Sequence, residues 1–191
     1  MNCGQRSVPR RGSVWLEYLP IVRDRSHTLL RRGTDSIPGM FQLDNDKLKF
    51  IGQWERDGFV ITTDKNRLDV QFIHEFLSNT SYWATSRSLE QVERSIDNSL
   101  NFGLFKDDRQ IGFARVVTDY ATFAWLADVF IVDQYRGLGL GVWLIDVITS
   151  HPQLQGFRRW LLATRDAHEL YRRFGFTEVA EPKRWMERTI S

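Results

Sequence analysis

Apolar residues recur along the chain at two spacings, and together they predict alternating strands and helices. A short apolar run over residues 58–63 is typical of a strand. Residues 69–78 place their apolar side chains three and four positions apart, which predicts a helix. Ser88 and Gln91 have the spacing of a capping box, and helical periodicity continues after them to residue 100.

The middle of the chain has the pattern of a sheet. Runs over 102–106 and 110–117 predict two strands, and the polar residues 107–109 between them predict a hairpin turn. Residues 122–132 are apolar at nearly every position. A strand that is apolar on both faces is expected in the interior of a sheet.

The remaining elements continue the alternation. A glycine-rich turn leads into a helix predicted over 140–150, and a strand over 159–164 precedes a helix over 167–174. Two short closing strands are expected near 176–179 and 184–189. The order of elements indicates an α/β domain without internal repeats.

Composition narrows the class of protein. The chain has 191 residues, of which 42% are hydrophobic and 26% charged, values typical of one globular domain. The net charge of +2 gives no overall field that would indicate a nucleic-acid binder. The apolar stretch 121–127 is too short to span a bilayer. With Cys3 as the single cysteine and no metal-ligand spacing among four histidines, we expect no disulfide, no metal site and a reducing, cytoplasmic setting.

The N-terminal part differs from the rest in charge and pattern. Residues 1–45 contain seven arginines and no lysine, and their apolar residues follow no sustained period. We expect a poorly ordered extension over 1–45 and a folded domain over 46–191. Two alternatives stay open: an arginine-rich targeting or nucleic-acid arm, and a true start at Met40.

The loop over residues 136–141, Arg-Gly-Leu-Gly-Leu-Gly, carries the most specific chemistry. Its three glycines let the backbone approach a ligand closely, and the start of the following helix adds partial positive charge. Together these features predict an anion cradle, for which a pyrophosphate is a natural guest. A Walker loop is excluded because Val142 and Trp143 follow Gly141, and the alternative of a packing turn would not need three glycines and an arginine.

This loop, with Asp128–Arg136 before it and Leu170–Phe176 after it, resembles motif A and its setting in the GNAT superfamily of N-acetyltransferases. The resemblance covers about residues 57–190. It implies a mixed, mostly antiparallel sheet of about six or seven strands with helices on both faces. It also implies that strands 122–132 and 159–164 splay apart to form the cleft for acetyl-CoA.

The resemblance also implies roles for individual residues. Backbone N–H groups of residues 137–142 would bind the pyrophosphate of acetyl-CoA, and the strand before the loop would pair with the pantetheine arm. The implied cofactor-binding residues are Val129, Phe130, Ile131, Arg136, Gly137, Leu138, Gly139, Leu140, Gly141 and Val142. The family often has an asparagine where this chain has Thr164, and we expect Asp166 to cap the last helix instead.

Two residues are candidates for catalysis. Tyr171 matches the family's tyrosine that protonates the departing thiolate, and its alternative is an aromatic packing residue. Asp128 is the only charge in residues 120–132, so burial is expected to raise its pKa toward that of a useful base. Its alternative is a structural carboxylate that pairs with Arg115 or belongs to a β-bulge.

The acceptor pocket is expected beside the link between the first two helices, which contains Tyr82, Trp83 and Arg87. Aromatic walls with one cation suit a small amine that bears a carboxylate, or an apolar amine. The alternative is that Tyr82 and Trp83 only close the core.

The sequence therefore predicts an N-acetyltransferase that moves the acetyl group of acetyl-CoA directly to a primary amine of a small molecule or peptide. The absence of a usable cysteine disfavours an acyl-enzyme. The runner-up is a non-catalytic acyl-CoA-binding or sensing domain, and the arginine-rich arm leaves a nucleic-acid-associated protein as a third option. A homodimer stays open, because the apolar cluster of Val14, Trp15, Leu16, Tyr18 and Leu19 could dock on the domain or on a second subunit.

Overall fold

The computed structural model describes residues 42–44 and 49–189, with side chains from residue 51 onward. Apart from 42–44, the extension predicted over residues 1–45 lies outside the described residues. The same is true of Met40 and Cys3. Residues 42–44 form a strand, which the prediction of a poorly ordered extension did not anticipate.

In the described part of the chain, eight strands form an antiparallel sheet of two strands and a mixed sheet of six. The strands are β1 (Gln42–Asp44), β2 (Lys49–Ile51), β3 (Gln53–Arg56), β4 (Phe59–Thr62), β5 (Leu100–Lys106), β6 (Arg109–Thr118), β7 (Phe123–Ile131) and β8 (Arg159–Leu161). β1 and β2 pair with each other, whereas β3 to β8 form a six-stranded sheet in chain order. All its neighbours are antiparallel except β7 and β8, which are parallel. This confirms the predicted mixed, mostly antiparallel sheet.

Within residues 49–189, four α-helices flank the sheet: α1 (Val70–Glu75), α2 (Leu89–Asp97), α3 (Leu140–Thr149) and α4 (His168–Arg172). α1 continues as a π-helical turn over Phe76–Thr80. The predicted capping box of α2 is present, with the Ser88 side chain accepting from the Gln91 N–H and the Gln91 side chain accepting from the Ser88 N–H. No helix in the part of the chain that the structure describes is long and apolar enough to cross a membrane.

The core lies on both faces of the large sheet. On one face α3 buries Leu144, Ile145 and Ile148 against the strands, with Phe102 and Leu126 among the buried residues there. On the other face α1 and α2 bury apolar side chains against Phe113 and Phe130, with Phe76 stacked on Phe130 at 3.8 Å between ring centroids. Burial of this apolar area is the main stabilising term of the fold.

β7 is the strand predicted for the interior, and it lies between β6 and β8. Its side chains are buried at alternate positions, and Trp125 on the α1–α2 face is partly exposed, so the expectation of burial on both faces holds only in part.

The end of the chain differs from the prediction. β8 stops at Leu161 instead of continuing to residue 164. The closing strands expected near 176–179 and 184–189 are wrong, because the described residues there form no strand. Pro182, which has no backbone N–H to donate to a sheet, begins a 3₁₀ turn instead, and every residue from 177 to 189 is exposed.

Candidate functional site

The glycine loop between β7 and α3 faces open space. Gly137 and Gly139 have φ values of 79° and 74°, in the left-handed region that favours glycine. Among the described residues, a Cβ atom placed on Gly137 would meet no atom within 4 Å, and one on Gly139 would meet only Arg56 Nη2 at 3.9 Å. The loop therefore leaves room for a ligand directly against its backbone.

The start of α3 adds to this loop the features of an anion site. Gly139 is the N-cap residue, and no side chain caps the helix there. The first backbone N–H groups of a helix have no partner within the helix and lie at the positive end of its dipole. Leu138 is 57% exposed, whereas Leu140 is buried. The loop is therefore packed into the core where α3 begins and faces solvent in the residues before the helix. The arrangement fits a phosphate or pyrophosphate group.

Arg136 holds the loop against the end of β7. Its Nε donates to the carbonyl oxygen of Ile131 at 3.2 Å, and its Nη2 lies 3.0 Å from the carboxylate of Asp133. The guanidinium thus braces the turn from β7 to the glycines, and its exposed side keeps positive charge beside the loop.

β7 and β8 pair over only three residues. The pairs run from Phe123 with Arg159 to Trp125 with Leu161, and the pairing stops there. The last three residues of β7 come after this point: Val129, Phe130 and Ile131. β8 therefore does not pair with their backbone along the edge of β7 that faces it. The stretch of β7 that β8 leaves unpaired, from Leu126 to the end of the strand before the glycine loop, is the cleft between the two parallel strands.

Asp128 lies in a β-bulge at the start of this cleft. Phe113 of β6 pairs with Phe130 of β7, whereas Arg115 pairs with Ala127, so Asp128 and Val129 together oppose a single residue. Asp128 has a φ of 51°, a conformation that non-glycine residues rarely adopt. Its side chain is only 3% exposed.

Three side chains bind the Asp128 carboxylate. Arg115 Nε donates to Oδ2 at 2.6 Å and Arg87 Nη1 donates to the same oxygen at 2.7 Å. Trp83 Nε1 donates to Oδ1 at 3.2 Å. Arg115 also donates to Ser99 Oγ at 3.2 Å, so the cluster joins β6, β7 and the link between α1 and α2.

These contacts correct the expected pKa of Asp128. Burial does act to raise the pKa, as the sequence suggested, but the charges and hydrogen bonds of Arg115 and Arg87 outweigh it and lower the pKa below the usual value. The expectation of a raised pKa is therefore wrong. Asp128 is an ionised carboxylate with both oxygens engaged.

Tyr171 is buried on α4, the helix that follows the loop after β8. Its ring meets Phe176 edge-on at 5.9 Å, and its side chain lines a cavity of about 250 Å³ with Thr164 and His168. Burial raises the pKa of Tyr171 to about 12, with smaller contributions from Tyr82 and Asp166. The phenol is therefore protonated at neutral pH, the form that can donate a proton.

The link between α1 and α2 also reaches the loop after β8. The Tyr82 hydroxyl accepts a hydrogen bond from the Arg165 backbone N–H at 2.9 Å, and the Arg165 guanidinium lies 3.6 Å from the Tyr82 ring centroid. Tyr82 also meets Trp83 edge-on at 4.9 Å. Both aromatic residues stay more than 40% exposed, so they border an open surface and do not close the core completely.

The structure therefore brings four predicted site residues into one connected group: Tyr82, Trp83, Arg87 and Asp128. The proposed cap of the last helix is wrong, because the Ala167 N–H donates to Thr164 Oγ1 and Asp166 is exposed. Sequence reasoning missed Arg165 and Arg56, which carry no motif signal. Among the described residues, no group of three or more potential ligands could hold a metal ion.

Comparisons with known proteins agree with this geometry. The sequence profile of the Acetyltransferase (GNAT) family matches residues 70–176. The chain is 28% identical over 140 residues to a protein of Gibberella zeae described as a candidate acetyltransferase, a match that covers 62% of this chain and 78% of that one.

Solved structures give the same result. A candidate acetyltransferase of the GNAT family from Xanthomonas campestris is 48% identical, with a TM-score of 0.69 over 71% of this chain and 96% of that chain. A Staphylococcus aureus protein with 22% identity has a TM-score of 0.56 over 70% of this chain and 98% of that chain, and shows the fold alone. Since the family profile spans more than half of its residues, the chain belongs to the GNAT family of acetyltransferases.

Proposed function

We propose that this protein transfers the acetyl group of acetyl-CoA directly to a primary amine of a small molecule or peptide. The observation that carries the proposal is the open glycine loop at the start of α3, placed at the end of the cleft between β7 and β8. The family uses acetyl-CoA, and the residues of this chain fit it: the loop suits the pyrophosphate, and the cleft suits an extended arm.

In the proposed complex, backbone N–H groups of residues 137–142 bind the pyrophosphate. The backbone of Val129, Phe130 and Ile131, which β8 does not occupy, pairs with the pantetheine arm as a strand would. A backbone N–H beside the bulge then lies near the thioester oxygen, where it stabilises the negative charge that develops during transfer.

We assign the general acid to Tyr171. A leaving thiolate needs a proton, and the Tyr171 hydroxyl carries one at neutral pH, at the ordinary pKa of about 10 as well as at its raised pKa. Its buried position beside the loop after β8 supports this assignment.

We propose that Asp128 is a positioning residue and not the general base. Both of its oxygens are engaged by Arg115, Arg87 and Trp83, and its lowered pKa makes it a weak acceptor of protons. Its role is to fix the bulge that separates β7 from β8 and to hold the link between α1 and α2 in place. The amine then loses its proton to water at the exposed side of the site.

The acceptor binds in this proposal against Tyr82, Trp83 and Arg87. The two rings are exposed and perpendicular, and they offer apolar contact area for the part of the acceptor beside its amine. The cluster of two arginines and one aspartate has a net positive charge, which favours an acceptor that carries a carboxylate.

The test is a panel of amines, amino acids, polyamines and short peptides, each incubated with acetyl-CoA and the full chain. Release of free thiol is followed by a chromogenic reagent, and the acetylated amine is identified by mass spectrometry. We expect release above the amine-free control for at least one primary amine, with amino acids the preferred class. Binding of acetyl-CoA without amine-dependent release from any acceptor would contradict transfer and support an acyl-CoA-binding domain.

A further inference from the structure

Arg56 lies at the end of β3, upstream of the residues that the family profile matches, yet its side chain reaches the glycine loop. Its Nη2 lies 3.4 Å from the carbonyl oxygen of Gly139, the N-cap residue of α3. In the part of the chain that the structure describes, the same atom is the only one within 4 Å of the position that a Cβ on Gly139 would occupy. A cation from a distant part of the chain therefore stands directly beside the proposed pyrophosphate site.

One contact holds Arg56 there, and a second fixes the strand that follows it. Its guanidinium carbon lies 4.8 Å from the centroid of Trp143, one turn into α3, in a cation–π arrangement. Phe59, the first residue of β4, packs edge-on against Tyr135 with 6.1 Å between the ring centroids. Tyr135 is the chain neighbour of Arg136 in the glycine loop. The tip of the β3–β4 hairpin is thus packed against the start of the glycine loop.

The guanidinium is not fully engaged by protein. The side chain is 39% exposed, and its acidic neighbour is Asp57 at 3.9 Å, which is 86% exposed and well hydrated. Such a contact is weak in water. An arginine that is held by a ring but keeps donors free toward an open anion site has the properties of a phosphate ligand.

We infer that Arg56 is a side-chain ligand of the cofactor's pyrophosphate, and this inference rests on the proposed binding of acetyl-CoA. The backbone N–H groups of the loop supply partial charges, whereas Arg56 supplies a full charge and a planar pair of donors. In the proposed complex the guanidinium would exchange its hydrogen bond to the Gly139 carbonyl oxygen for one to the phosphate.

The test is calorimetry of CoA and of 3′-dephospho-CoA binding to the full chain, Arg56→Gln, Arg56→Lys and Arg67→Gln, at low and high salt. Arg67 is the matched control, because it also stacks on an aromatic ring, Phe105, at 4.7 Å. It contacts Gln53, three residues before Arg56 in β3, and alternation along the strand places Gln53 and Arg56 on opposite faces of the sheet.

We expect Arg56→Gln to weaken binding of both ligands about tenfold at low salt, with a smaller loss at high salt. Arg56→Lys should recover part of the loss, and Arg67→Gln should bind within about twofold of the parent. Equal binding by Arg56→Gln and the parent, or a loss confined to CoA with its 3′-phosphate, would overturn the assignment. A parent chain that binds neither ligand would instead overturn the proposed function, together with this inference.

Discussion

Arg115 Nε and Asp128 Oδ2 lie 2.6 Å apart, on neighbouring strands and at the point where the register between those strands shifts. The ion pair and the β-bulge are therefore one feature. The carboxylate occupies the extra position of the bulge, and the guanidinium holds it there from β6. Because β7 and β8 separate just before this position, the pair is well placed to keep the cleft open.

Replacement of Asp128 tests that coupling. Asp128→Asn leaves Arg115 and Arg87 without the buried charge they share, a change that typically costs about 3–5 kcal/mol of unfolding free energy. Glu181→Gln serves as the control, since Glu181 forms an exposed pair with Arg184 at 2.9 Å and its loss should leave stability unchanged. Urea denaturation at pH 7 measures both. Equal stability of the Asp128 variant and the parent would contradict the structural role.

The same pair predicts how stability depends on acid. The pKa of Asp128 is lowered in the folded chain, so its contribution to the unfolding free energy is fully present above the ordinary carboxyl value of about 4 and is lost as the pH falls below it. When the pH is lowered below about 4, the unfolding free energy of Asp128→Asn should therefore fall less steeply than that of the parent. In the transfer assay the shape of the pH–rate profile should not change in this variant, whereas loss of the limb that reports a base would contradict the positioning role.

Tyr171→Phe separates acid catalysis from packing. The ring remains, so binding of acetyl-CoA should stay within about twofold of the parent, while the rate of transfer should fall by ~10²-fold or more. Steady-state kinetics with a saturating acceptor and calorimetry of acetyl-CoA provide the two measurements. Turnover close to that of the parent would remove Tyr171 from the mechanism.

His151 predicts a second pH effect, at milder pH. Burial between Trp54 and Phe102 lowers the pKa of His151 to about 4. As the pH falls, the imidazole is therefore protonated at a higher pH in the unfolded chain than in the folded chain. The contribution of His151 to the unfolding free energy is complete above the unfolded pKa of about 6.5 and decreases as the pH falls toward 4. The decrease is ~2 kcal/mol between pH 7 and pH 5.

His151→Phe should remove this pH dependence. Denaturation midpoints at pH 7 and pH 5 should converge in the variant, whereas His168→Gln, at an exposed position on α4, should retain the dependence of the parent. A His151 variant with the same slope as the parent would show that another group causes it.

The sequence was most informative where local rules decide the structure. The capping box at Ser88 and Gln91 and the hairpin turn after Lys106 depend on near neighbours, and both are present as predicted. Strand β3 was missed because its four residues, of which only Trp54 is apolar, give little periodic signal. The predicted closing strands are absent from the described residues, where the segment after Phe176 stays exposed and Pro182 begins a 3₁₀ turn.

The site shows the same division. The glycine loop could be identified from sequence, since its chemistry lies within six consecutive residues. The lowered pKa of Asp128 could not be predicted from sequence, because Arg87 and Arg115 belong to other parts of the chain and only the fold brings them to the same carboxylate. Arg56 gave no signal for the same reason, as 83 residues separate it from Gly139.

The glycine loop is tested most directly by calorimetry of acetyl-CoA binding to the parent, Gly139→Asp and Gly156→Asp. Both glycines are exposed and have nearly equal φ values, 74° and 77°, so the two aspartates impose the same backbone strain. Only the aspartate at position 139 places a side chain and a negative charge against the proposed pyrophosphate site. We predict that the parent and Gly156→Asp bind acetyl-CoA and that Gly139→Asp shows no measurable binding. Equal affinities of the two variants, or a parent that does not bind, would contradict the assignment of this loop as the cofactor site.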